Sequence, residues 1–372
     1  MRIAFCLFRY FPYGGLQRDF LRIAHEALRR GHMIDVYTMR WEGKYEVGLA
    51  IRTIATKGMQ NHTRREDFVR QIKPYLEQGQ YDLIVGFNKM PGLDVYYAAD
   101  TCYQEKARKN HNWFYRLTSR YRHSVAYEKA VFSSESKTEI LLIAKLQQDI
   151  FMQYYHTQPE RFHLLPPGIA RDRIAPFNAA EIRAAVRKEH NIADDEFMLL
   201  MVGSGFKTKG LDRTLQAFAQ LPPALKNKAY VYVIGKDNAL PFVELAKKLG
   251  INDRVIFLGG RDDVVSYLLA ADLLLHPAYN ENTGTVLLEA LAAGLPVLTT
   301  SVCGYAPYII VANAGKVISS FTQAEFNEAL EKMMLSPERA KWKANGIAFA
   351  KVADIYSMPE RAVDLIEGFQ KS

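Results

Sequence analysis

Asn280-Glu281-Asn282-Thr283-Gly284-Thr285-Val286-Leu287-Leu288-Glu289 follows the apolar run Leu273-Leu274-Leu275-His276-Pro277 and precedes Ala290-Leu291-Ala292-Ala293-Gly294-Leu295-Pro296-Val297. The pattern reads as strand, loop and helix. Residues 286–293 are apolar and helix-forming, and Gly294 with Pro296 stops the helix before the next strand at 297–300. Thr283, Gly284 and Thr285 then stand at a helix N-terminus. Its unpaired N–H groups and partial positive charge suit a phosphate, and Gly284 allows close approach to the backbone. Glu281 and Glu289 only accept hydrogen bonds at neutral pH, so beside a phosphate their natural partners are sugar hydroxyls. A nucleoside diphosphate sugar presents both chemistries. The plain alternative is one solvated loop carboxylate and one helix carboxylate favoured by the helix dipole.

Working outward, strands alternate with helices as parallel sheets require. In the first half residues 2–8, 34–38, 82–87 and 139–144 read as strands, with amphipathic helices at 16–30, closed by Gly31, and 65–78. The pattern restarts after Leu164-Leu165-Pro166-Pro167-Gly168, with strands at 198–202, 229–234, 254–258, 273–276 and 297–300. The expectation is an α/β chain of two doubly wound parallel-sheet domains, 1–168 and 169–355, with a linker near 166–178. In such sheets ligands bind beyond the carboxyl ends of the strands, which predicts an active site in a cleft between the domains. The 372 residues, 49% of them hydrophobic, suffice for two cores. No run approaches the ~18 apolar residues of a spanning helix, and the run 3–8, cut by Arg9, is too short for a signal peptide. A cytoplasmic location is expected. Cys6, Cys102 and Cys303 are few, odd in number and far apart, so they read as buried thiols rather than a disulfide framework or a metal site.

The spacing Glu281-x7-Glu289 with its continuation to Val297 resembles the signature of retaining glycosyltransferases of family 4, whose two Rossmann-like domains make the GT-B fold. Tyr10-Phe11-Pro12-Tyr13-Gly14-Gly15-Leu16-Gln17-Arg18-Asp19, Gly86-Phe87-Asn88-Lys89-Met90-Pro91-Gly92-Leu93-Asp94 and Val302-Cys303-Gly304-Tyr305 resemble one subgroup, the lipopolysaccharide core glucosyltransferases I. The resemblance runs along nearly the whole chain. It implies transfer of a hexose, glucose foremost, from a UDP-sugar to an inner-core heptose in α-1,3 linkage with retention. UDP-sugar is then a substrate, and no cofactor is implied. In such a transfer the acceptor oxygen attacks on the face the nucleotide leaves from, and the leaving diphosphate oxygen takes the proton. Glu281 would hold the transferred sugar by its hydroxyls and Glu289 the ribose. No Asp-x-Asp triplet occurs, so activity without added metal is expected.

The same resemblance assigns roles elsewhere. Gly14 and Gly15, between the first strand and first helix, would approach the donor diphosphate and sugar. In Gly203-Ser204-Gly205-Phe206-Lys207-Thr208-Lys209-Gly210, two lysines among glycines make a phosphate loop chemically plausible, but Leu211 and Asp212 follow where a Walker sequence needs Lys and Ser or Thr. Lys209 matches the family lysine that neutralises the diphosphate. Ser204 stands where an arginine is common, which leaves Lys207 or Arg173 as the second cation. Asp100 would orient the acceptor or handle a proton; the alternative is a helix cap. Arg261, after a strand end, would contact base or phosphate; the alternative is an exposed charge.

Charge adds a separate argument. Within residues 103–132, Lys106, Arg108, Lys109, Arg116, Arg120, Arg122 and Lys129 outnumber Glu105 and Glu128, so the segment carries +5 of the chain's +8. Trp113 and Phe114 lie among several tyrosines there. Basic and aromatic residues together suit an anionic membrane surface, where each cation contributes ~1 kcal/mol. The expected partners are the inner-membrane surface, on its cytoplasmic face, and an anionic glycolipid acceptor. No nucleic-acid module is visible, although a pI of about 9.1 fits either polyanion. A solvated helical face is the plain alternative. Two other classes are a nucleotide-sugar epimerase of the same fold, which needs no acceptor, and a non-enzymatic membrane or nucleic-acid binder, which leaves the glycine loops and the Glu pair without a task. A last amphipathic helix, 361–369 within about 356–372, is expected to return to the first domain, as is common in this fold.

Overall fold

The computed structural model describes residues 1–12 and 14–369. Tyr13 of the first glycine loop and residues 370–372 of the expected last segment lie outside the described residues. The chain divides into two compact units, Met1–Gly168 with the segment from Ser357, and Ile169–Tyr356.

In the first unit seven strands form one parallel sheet. They are β1 (Arg2–Cys6), β2 (Met33–Thr38), β3 (Leu49–Thr53), β4 (Leu83–Gly86), β5 (Val95–Ala98), β6 (Glu139–Leu142) and β7 (Phe162–Leu164). Their order is β3-β2-β1-β4-β5-β6-β7. Helices α1 (Gly15–Arg29), α2 (Asn61–Gln78), α3 (Tyr103–Asn110) and α4 (Ser119–Phe132) connect them. β1 is apolar without alternation because both of its faces are covered. Phe5 packs with Phe20 and Phe87 on one side, and Ala4 and Cys6 lie with Phe68, Phe132 and Phe151 on the other. The strand ends shorter than the apolar run: Phe8 N–H donates to Asn88 Oδ1 at 2.7 Å instead of joining the sheet. β3, β5 and β7 were not expected from the sequence. β3 is a half-exposed edge, and β5 and β7 are only four and three residues long.

A terminal helix, Met358–Gly368, buries Met358, Ala362, Val363 and Ile366 in the same core as Phe20 and Ile23 of α1. Arg30 clamps it, donating to Asp364 and Glu367 at 2.8 Å each and to the carbonyl of Glu360 at 3.1 Å. His32 adds a 2.7 Å contact to Glu367.

The second unit repeats the plan with β8 (Phe197–Val202), β9 (Ala229–Ile234), β10 (Val255–Gly259), β11 (Leu273–His276), β12 (Val297–Thr300) and β13 (Gly315–Ile318). All pairings are parallel, in the order β10-β9-β8-β11-β12-β13. α5 (Leu211–Gln220) follows the glycine loop after β8, and α6 (Thr285–Ala293) follows the loop after β11. α6 is buried nearly all round, from Leu287 to Ala293, which explains its uniformly apolar sequence. In both sheets the strand order reverses beside the first strand of the unit. A crevice opens there at the carboxyl ends, between β1 and β4 in one sheet and between β8 and β11 in the other.

Candidate functional site

The loops after β8 and β11 are held against each other. Tyr279 N–H donates to the Thr208 carbonyl at 2.8 Å, and Arg213 donates to the carbonyls of Pro277 and Ala278 at 3.0 Å each. Gly210 has φ +80°, and a Cβ there would lie 2.0 Å from the Pro277 carbonyl oxygen, so only glycine allows this approach. The contact sets Lys209 against Glu281, whose carboxylate accepts from Nζ. Glu281 is held from the other side by a parallel bridge to Cys303. His276, at the end of β11, reaches the same carboxylate with Nε2 at 3.4 Å.

The helix N-terminus completes this cluster. Gly284 is the N-cap of α6 with φ +83°, and a Cβ there would lie 3.3 Å from Cγ of Glu281. Thr285 is the first helical residue, and Thr283 accepts the Tyr305 N–H at 2.8 Å through its carbonyl. Burial pushes the Lys209 ammonium below its usual pKa. Desolvation, with Lys209 adding repulsion, pushes the His276 imidazole down to about 3, so it is neutral. One lysine, one carboxylate, one neutral imidazole and a row of helix N–H groups therefore share one end of the sheet. The arrangement neutralises an anion and presents an acceptor to hydroxyls, each now occupied by the other.

The remaining expected residues separate into pairs. Glu289, buried in α6, faces Arg173 with Nε 3.7 Å from Oε1, and Ala175 N–H donates to the Ala292 carbonyl at 3.0 Å to hold that segment on the helix. Lys207 turns away from Lys209, donating to Asp212 at 2.6 Å with Tyr279 Oη at 3.3 Å. Arg261 is bidentate to Asp263 at 2.7 Å and lies 4.8 Å over the Tyr267 ring. Among the described residues no hydrogen bond or ion pair joins it to Glu281 or Glu289. Ser204 accepts the Lys236 N–H at 3.2 Å, so it braces the loop.

In the first unit Gly14 is the N-cap of α1 and Gly15 its first residue, where an added Cβ would meet nothing within 4 Å. Asp19, one turn on, accepts from Tyr97 Oη at 2.8 Å, and burial raises its pKa to about 6. Asp100 is exposed just beyond β5. It does not cap α3, whose N-cap is Cys102 without a side-chain bond. That N-terminus is satisfied instead by Glu128, which accepts from the N–H groups of Tyr103 and Gln104 at 2.9 and 3.0 Å, from Tyr155 Oη at 2.7 Å and from Lys89.

Glu128 corrects the charge reading of residues 103–132. It is fully buried and ion-paired to Lys89, so it does not offset the surface cations. Lys106, Arg108, Lys109, Arg116, Arg120 and Arg122 are exposed. Trp113 and Phe114 stack at 3.9 Å on a short 3-10 turn and are 60% and 59% exposed. The sequence reading did not single out His276, which the fold sets on Glu281, or the buried carboxyl of Asp19. A polar residue closing the apolar run 273–275 was the one signal available for His276.

Two Rossmann-type sheets, one carrying a basic and acidic pair at a helix N-terminus beyond its strand ends, define the glycosyltransferase class with the GT-B fold. Residues 182–349 match the model of the family Glycosyl transferases group 1. The chain is 46% identical over 370 residues to lipopolysaccharide glucosyltransferase WaaG of Escherichia coli K12, covering 99% of both chains. A crystal structure of WaaG superposes with a TM-score of 0.93 at 46% identity, covering 98% of this chain and 100% of that one. Anabaena Alr3699/HepE, crystallised with UDP-glucose, shares the fold at a TM-score of 0.76 and 18% identity, covering 99% of this chain and 100% of its own. The chain belongs to the family of the lipopolysaccharide glucosyltransferases, and its second unit carries the match to the group 1 model.

Proposed function

We propose that this hexosyltransferase moves glucose from UDP-glucose, with retention, to a heptose of the lipopolysaccharide inner core. The pairing of Lys209 with Glu281 beside the N-terminus of α6 is the observation that carries the reading. On donor binding each partner exchanges the other for substrate. Lys209 and the N–H groups at Thr283, Gly284 and Thr285 take the diphosphate, and Glu281 takes sugar hydroxyls. The charge released on the leaving oxygen is then already matched, and that oxygen accepts the acceptor proton. Glu289 binds the ribose hydroxyls. Arg173, set against it, serves the nucleotide side; Lys207 and Arg261 act as outer charges, since each is already paired with an aspartate. The open helix end at Gly14 and Gly15 approaches the transferred group.

In this reading the unit Ile169–Tyr356 takes the sugar nucleotide, and the first unit takes the acceptor, with Asp100 orienting it. The exposed cations and the Trp113–Phe114 pair of residues 103–132 rest on the anionic cytoplasmic face of the inner membrane. No divalent metal enters the step. Labelled UDP- and ADP-sugars offered with heptose-terminated lipopolysaccharide, for wild type and Glu281→Ala, test the proposal. Transfer from UDP-glucose alone, lost in the variant and insensitive to chelator, is the result expected. Transfer from a different donor, or sugar conversion without acceptor, overturns it.

A further inference from the structure

Beyond the carboxyl ends of β1, β4 and β5 the first unit holds a cavity of about 230 Å³, lined among others by Phe8, Arg65, Asn88, Lys89, Asp100 and Lys106. Its charges are not equivalent. Lys89, at the floor, is cancelled by the buried Glu128 and also donates to the Thr101 carbonyl at 3.0 Å. Arg65 is different. Its guanidinium carbon lies 5.0 Å over the Phe8 ring, and among the described residues its side chain makes no hydrogen bond and no ion pair.

The two arginines that are buried among the described residues are treated otherwise. Arg161 donates to the carbonyls of Val131, Ser133 and Thr138, and Arg187 donates to Asp272 and the carbonyls of Ala193 and Glu196. A guanidinium carries five N–H donors, and a partly desolvated charge left without partners is costly. Lys106, exposed at the rim, is likewise without a charged partner among the described residues. Asn88 uses Oδ1 on the Phe8 N–H, which leaves its Nδ2 donors for the cavity. Among the described residues that line the cavity, Asp100 is the one carboxylate. With Lys89 cancelled and Asp100 offsetting one cation, the cavity keeps a net positive charge and one lining carboxylate that accepts from a hydroxyl.

We propose that this cavity is the subsite for an acidic group of the acceptor glycan, a carboxylate or phosphate ester held by Arg65 with Asn88 and Lys106, while Asp100 accepts from a hydroxyl of the same sugar. The proposal rests on the reading of the first unit as the acceptor side. Arg65 supplies planar, bidentate recognition with its face covered by Phe8, which suits an oxyanion better than a neutral ring.

The test compares a lipid-free, heptose-terminated acidic oligosaccharide with the same oligosaccharide after phosphatase treatment and carboxyl reduction. Wild type, Arg65→Gln and Arg65→Lys are assayed, with thermal unfolding as a control. Arg65→Gln should raise the acceptor KM about 10- to 100-fold on the acidic form with kcat within about threefold, and Arg65→Lys should recover part of this. The KM for UDP-glucose should not move. On the neutralised form wild type and Arg65→Gln should coincide. Equal losses on both acceptors, or no discrimination by wild type, overturn the subsite. So does a variant that loses binding to anionic phospholipid vesicles while keeping its KM for the lipid-free acceptor, because the ligand is then a lipid headgroup. Absence of transfer by wild type to either form counts against the transferase reading itself. Calorimetric titration of the acidic oligosaccharide then decides the cavity: binding lost in Arg65→Gln supports it, and no binding overturns it.

Discussion

Nε2 of His276 lies 3.4 Å from Oε2 of Glu281, with the imidazole buried and its Nδ1 unpartnered among the described residues. The ring is neutral in the fold, since burial and the charge of Lys209 push its pKa down to about 3. In the unfolded chain it titrates near 6.5. Between those values the unfolded state binds the extra proton, so the contribution is full above pH 6.5 and is lost as pH falls toward 3. The loss approaches ~1.4 kcal/mol per pH unit within that window. His276→Asn should flatten this slope in denaturant titrations from pH 7 to 5. Parallel slopes for the two proteins would mean that the imidazole is charged in the fold.

Glu281→Gln keeps the size of the side chain but surrenders the charge that Lys209 occupies. Transfer should fall by at least ~100-fold, while UDP affinity stays within about threefold, because the loss lies in holding the hexose rather than the nucleotide. Steady-state kinetics beside calorimetric titration with UDP separates the two. An equal loss in both would assign Glu281 to nucleotide binding.

Gly15 has open space where a Cβ would stand and no left-handed backbone to protect. Alanine in the first turn of α1 should hold or raise stability by up to about 1 kcal/mol. If glycine is there for the substrate, transfer by Gly15→Ala should still drop with a raised KM for the donor. Unchanged kinetics in a protein of unchanged Tm would remove Gly15 from the site.

Asp19 predicts a pH effect of the opposite sign to His276. Burial raises its pKa to about 6 from 3.8, so the native state binds the extra proton and stability falls as pH rises from about 4 to 6. Asp19→Asn retains an acceptor for Tyr97 and should be more stable than wild type by roughly 1–2 kcal/mol above pH 6.5. The gap should close below pH 4. A variant less stable than wild type at pH 7 would show that the ionised carboxylate is favoured.

Replacing Trp113 and Phe114 together by alanine removes the exposed aromatic pair without touching a core, since neither is buried. Sedimentation with anionic vesicles should weaken by on the order of tenfold, and transfer to a lipid-free acceptor should be unchanged. Equal sedimentation would leave the cations alone, or nothing, as the membrane contact.

Central strands and the loops they carry were legible in the chain because parallel strands covered on both faces read as unbroken apolar runs, and glycine or proline marks where each stops. β11, the N-terminus of α6 and the Lys209 loop follow from that punctuation. β3 stayed hidden because an edge strand with exposed Arg52 and Thr53 has no apolar run to see. The site partners that escaped are those set by distant pairing. His276 matters only because the loop after it folds back to Cys303. Glu128 looked like one more surface charge because nothing local says that Lys89, on a different loop, will bury it. Arg65 sits in an ordinary polar helix, and its significance lies in partners it lacks.

The clamp of Arg30 on the terminal helix has a bearing on how the molecule is made. The core between α1 and the sheet encoded first lacks Met358, Ala362, Val363 and Ile366 until synthesis has passed residue 368, whereas the core of the second unit is complete with Ile355 and Tyr356. During translation the later-encoded half is therefore the earlier one to close, and the first half waits as an open layer whose α1 face is a ready target for chaperones.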